Sequence, residues 1–76
     1  GPLSFTMDEA GPVTVEIFTV TGRKVRTLQN GDLSAGLHDM AWDGRDEGGR
    51  RLPGGIYFYR IQMPDQRKVV KIRLAP

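Results

Sequence analysis

Gly55-Ile56-Tyr57-Phe58-Tyr59-Arg60-Ile61-Gln62-Met63 is the stretch whose pattern decides the fold. From Ile56 to Met63, Tyr57, Tyr59, Ile61 and Met63 share one parity, and Ile56, Phe58, Arg60 and Gln62 share the other. That period of two is the signature of a strand with one buried face. Tyr57 and Tyr59 cannot lie on the same face as Phe58, so one set belongs to the core and the other to the surface. Pro64-Asp65-Gln66 then turns the chain. Arg67 to Leu74 reads as the returning strand, with Val70, Ile72 and Leu74 inward and Val69, Lys71 and Arg73 outward.

Upstream, Val13, Val15 and Ile17 alternate with polar residues after Pro12, a second half-buried strand. Phe18 and Val20 fall on the opposite parity, which predicts a bulge or a change of face near that strand's end. Thr21-Gly22 closes it. Lys24 to Gln29 is short and charged on both sides, as suits a sheet edge, with Val25 and Leu28 as its apolar contacts. Asn30-Gly31-Asp32 predicts a turn, followed by a loop through Gly36. Leu37 to Trp42 reads as a strand with His38, Met40 and Trp42 on one face, and Trp42 is the expected anchor of the core. Phe5 and Met7 mark a first short strand. Asp43 to Gly55 is a long loop holding five of the ten glycines, with room for one short hairpin.

Some six strands with turn signals between them and no helical period predict an all-β, two-layer antiparallel sandwich, with a small closed barrel as the runner-up. Composition agrees. Gly and Pro fill 15 of 76 positions, against a usual share of about 12%, which disfavours helices. The length allows one domain and one core. There is no cysteine, hence no disulfide or zinc-thiolate staple, and the redox compartment is left open. No stretch approaches a membrane span. Gly1, Pro2 and Leu3 read as the remnant of a cleaved affinity tag, leaving 4–76 as the domain.

The blocks Val15 to Leu28, Ser34 to His38, Ala41 to Asp46 with Gly49, Leu52 to Ile61 and Lys68 to Ile72 together resemble the immunoglobulin-like domain of the flagellar hook-capping (FlgD) type. They also resemble the C-terminal modules of secreted bacterial proteins, including type IX secretion sorting domains. The likeness runs from Phe5 to Leu74. It implies an immunoglobulin-like sandwich of six to seven short strands and a non-catalytic role. Gly55 to Leu74 is similar to the end of a sorting tail, whereas Leu74-Ala75-Pro76 departs from the common ending at a pair such as Ile72-Arg73.

Each candidate site has a plainer competing explanation. Asp43, Asp46 and Glu47 in a Gly-rich loop suggest calcium, but Arg45 stands where a ligand would be, so carboxylates capping turn amides are expected instead. Ser34 and His38 lack the mutual geometry and third group of a hydrolytic triad, so no catalytic residue and no cofactor is expected, and His38 is read as packing at the rim of the core with a ring nitrogen on a backbone carbonyl. A base- or sugar-stacking row is disfavoured by the parity of residues 57–59.

The charge of +2 is unevenly spread. Residues 1–38 hold three basic and four acidic groups, and residues 39–76 hold eight and five. The excess gathers in Arg67, Lys68, Lys71 and Arg73, too few for a nucleic-acid binder. These four, with Ile56 and Phe58, are the expected protein contacts, while Trp42, Tyr57, Tyr59, Gly22, Gly36, Gly44 and Gly55 are expected to be structural. The resulting expectation is a module of a larger exported bacterial protein at the cell surface or outside it. It would serve foremost as a secretion or attachment domain recognised by secretion machinery or neighbouring domains. The alternatives are an assembly scaffold of a flagellar hook cap, with weak self-association, and a carbohydrate- or protein-binding accessory to an extracellular enzyme.

Overall fold

Alternation along each segment builds six strands and no helix among the described residues, 3–76, of the computed structural model. They are β1 (Leu3–Met7), β2 (Gly11–Thr19), β3 (Lys24–Leu33), β4 (Gly36–Met40), β5 (Gly55–Gln62) and β6 (Arg67–Leu74). Two antiparallel sheets form, one of four strands in the order β3-β2-β5-β6 and one of two, β1-β4. This is the expected all-β, immunoglobulin-like sandwich. Gly1 and Pro2, read as a tag remnant, lie outside the described residues, while Leu3, grouped with them, begins β1 and is buried.

The core is the inner parity of these strands. Val13, Val15 and Ile17 of β2, Tyr57, Tyr59 and Ile61 of β5 and the following Met63 pack with Leu3, Phe5 and Met7 of β1 and with Val25. Tyr59, Ile17, Ile61, Val13 and Val15 are the largest fully enclosed side chains. The Tyr57 hydroxyl donates to the Pro53 carbonyl at 2.7 Å, so its polar end is satisfied at the edge of the apolar layer.

Four details differ from the sequence-based expectation. Asn30-Gly31-Asp32 is no turn: it pairs with Thr14, Val13 and Pro12, which carries β3 to Leu33. The early start of β2 at Gly11 supplies those partners, and Gly31 accommodates the sheet with φ of +150°. The bulges lie in β3 instead of β2. Register shifts between Val15 and Glu16 and between Ile17 and Phe18 leave Leu28 and Val25 as extra residues on β3, while β2 stays in step with β5 from Thr14 to Thr19.

Trp42 lies beyond β4 and is half-buried, so it supports the core from its margin and is not the central anchor. Its indole N–H has to find a partner, and donates to the Arg45 carbonyl at 2.9 Å while the ring meets Tyr57 edge-on at 5.1 Å. Val70, expected inward, is 37% exposed. Two strands cannot cover the inner face of four, and β6 lies at the margin of the larger sheet.

Candidate interaction surface

Outward parity brings Glu16 and Phe18 of β2 beside Arg60 and Phe58 of β5, since these residues are directly paired. The Arg60 guanidinium lies 4.5 Å above the Phe18 ring and also donates to Glu16 at 2.8 Å, while Lys24 reaches the second Glu16 oxygen at 3.2 Å. One carboxylate thus ties β3, β2 and β5 together. On β6, Arg73 pairs with Ile56, Lys71 with Phe58, Val69 with Arg60 and Arg67 with Gln62. Five of the six expected contact residues, Ile56, Phe58, Arg67, Lys71 and Arg73, therefore share the outer face. Lys68 pairs with Ile61 and belongs to the opposite parity.

The Arg60 hydrogen bond, chiefly, holds the Glu16 carboxyl below its ordinary value of 4.5, against the opposing effect of desolvation and with further help from Lys24. Asp43 and Asp46 are also lowered, foremost by the backbone N–H groups of Arg45 and Arg50. A group with a depressed folded pKa contributes stability above its unfolded pKa and loses it as pH falls through the folded value. The melting temperature is therefore expected to be level from about pH 5 to 8 and to fall below the ordinary carboxylate range. Glu16→Gln should flatten part of that fall. Thermal melts across pH check this, and an unchanged acid slope in the variant would count against the Glu16 clamp.

The loop after β4 is organised by its own carboxylates. Asp43 Oδ1 accepts from the Arg45 N–H at 3.0 Å and from Arg26 Nη1 at 3.1 Å. Asp46 Oδ1 accepts from the N–H groups of Gly48 and Arg50, both at 2.9 Å. Glu47 reaches β3: its N–H donates to the Val25 carbonyl at 3.0 Å, and its Oε1 accepts from the Thr27 N–H at 2.6 Å. Sequence reading singled out Glu47 only as a cation ligand and missed this contact, because nothing local shows which edge the loop will meet.

His38 packs against Phe5, with centroids 5.8 Å apart, and its Nε2 lies 2.7 Å from the Ser34 carbonyl. Gly22, Gly36, Gly44 and Gly55 all take positive φ, at 90°, 114°, 79° and 145°.

The model of the FlgD Ig-like domain family matches residues 1–66. The chain belongs to that family. Two proteins named basal-body rod modification protein FlgD are similar to it: that of Salmonella typhimurium strain LT2 is 46% identical and that of Escherichia coli K12 is 42% identical, each over 52 residues. In both, the matched segment covers 68% of this chain and 22% of the relative. This FlgD-type domain thus spans about a fifth of the length of its curated relatives. No solved structure gives a significant match.

Proposed function

We propose that this chain is a non-catalytic assembly domain of a flagellar hook-capping or rod-modification protein, working through protein contacts. The observation that carries the reading is the family match across 66 residues together with relatives named for modification of the basal-body rod. It supports the assembly-scaffold alternative over the secretion or sorting tail, and on this reading flagellar subunits stand where secretion machinery was expected as the partner. On this reading the domain works outside the cytoplasm, on the flagellar structure itself. The outer face around Ile56, Phe58, Lys71 and Arg73, apolar at its centre and cationic at its margin, supplies the contact.

Purified hook subunit passed over the immobilised domain tests this. Binding is expected, with a loss of about tenfold or more in Phe58→Ser if Phe58 is a central contact. The absence of binding to subunits and to filament ends would overturn it. Export of a reporter carrying the chain at its C-terminus would instead restore the sorting reading.

A further inference from the structure

The two edges of the four-stranded sheet are finished differently. β3 carries two extra residues, and the first part of its open side is covered: Glu47 fills the Val25 carbonyl and the Thr27 N–H, and further along the Gln29 side-chain amide reaches the Gly31 carbonyl at 3.4 Å. Bulges and covering loops are how natural sheets close an edge. β6 has neither. It pairs with β5 through eight consecutive residues without a register shift and contains no proline. Among the described residues, no backbone hydrogen bond reaches it from elsewhere. In an antiparallel ladder alternate residues of an edge strand turn N–H and C=O outward, so β6 offers an unfilled template.

Its side chains state what the template fits. The outer parity is Arg67, Val69, Lys71 and Arg73, and the inner is Lys68, Val70, Ile72 and Leu74. Val69 is 60% exposed, and none of the four cations is paired with a carboxylate among the described residues. We propose that the free edge of β6 takes up an extended segment of a partner protein as a fifth strand, with acidic side chains on that segment's outer face and apolar ones on its inner face. Main-chain hydrogen bonds would supply the attachment, and the alternating side chains the selectivity. Acids would lie across from Arg67, Lys71 and Arg73, and apolar residues across from Val70 and Ile72. A second copy of β6 does not fit, because self-pairing would set its cations against one another. The edges of β1 and β4 are five residues each and carry no such charge row. The inference stands independently of the flagellar reading, since it names a strand chemistry and not a subunit.

The test uses the labelled 76-residue chain and a capped peptide of alternating glutamate and valine, matched in length to β6. Amide shifts and slowed hydrogen exchange are expected at alternate residues of β6, weakening as salt rises. The double variant Lys71→Glu with Arg73→Glu, both exposed and away from the core, should bind about tenfold more weakly or worse. The same peptide methylated on alternate backbone nitrogens should not bind. Equal binding of the methylated peptide, of unstructured polyglutamate or of anionic lipid vesicles would reduce the surface to a charge patch and overturn the proposal. So would shifts at β1, β4 or β3 instead of β6, dimerisation through β6 without peptide, or no response at millimolar peptide. Hook-subunit binding is measured separately, on the parent chain and Phe58→Ser, so that failure of the strand-addition proposal and failure of the flagellar reading are told apart.

Discussion

Ile17→Ala leaves the domain without a complete folded baseline in urea. Ile17 sits at the centre of β2 with no exposed surface, facing Tyr59 across the β2–β5 pairing. Removing most of a buried isoleucine costs about 2–5 kcal/mol, because the transfer free energy is lost and the cavity only partly closes. A single core in a chain this short rarely supplies more than about 3–5 kcal/mol, and no disulfide adds to it. The two quantities are of the same size, so the midpoint should fall by more than half or vanish into the folded baseline. Far-ultraviolet circular dichroism during urea titration reads this. Val20→Ala is the control: Val20 is 66% exposed and should shift stability by no more than about 0.5 kcal/mol. A loss below about 1 kcal/mol at Ile17 would mean that the core repacks freely.

Gly44→Val is the second large effect. Gly44 holds φ of +79°, where a β-branched residue is strained by about 1–3 kcal/mol. A Cβ there would also come to 3.0 Å and 3.4 Å from the two Leu74 methyl carbons. The Gly44 carbonyl meanwhile accepts from the Leu52 N–H at 2.9 Å, so the backbone is not free to relax into another region. Gly44→Ala should show mainly the backbone cost, since the tip of Leu74 can shift by a few tenths of an ångström. Valine adds crowding and should lose about 2–4 kcal/mol in all. Equilibrium denaturation of both variants separates the two contributions, and a valine variant within about 0.5 kcal/mol of the parent would contradict the strain.

What sequence made legible was parity. Residues 56–63 and 67–74 showed their faces directly, because a regular strand writes its orientation into every second side chain. The family also stood in the motif blocks, although its branch did not: the tail-like segment from Gly55 to Leu74 pointed to sorting, while the matched relatives are rod-modification proteins. Local signals failed where distant partners decided the outcome. Asn30-Gly31-Asp32 is a turn in isolation, and becomes strand only because residues 12–14 lie beside it. Trp42 is the largest apolar side chain of its segment, yet its N–H binds it to a loop carbonyl at the margin. Val70 has the parity of a core residue and lies beyond the reach of the smaller sheet. Glu47 is the clearest case, for its role depends on a strand edge twenty residues away in sequence.

That Glu47 contact sets a valence. A unit that can add strands at both edges of a sheet propagates without limit, and the product is a fibre. With the β3 edge bulged and covered at Val25–Thr27 and the β6 edge regular and open, the large sheet is built to add a strand on one side. Growth through that sheet is therefore one-sided, and the covered Val25–Thr27 segment works against its running on into a repeating array.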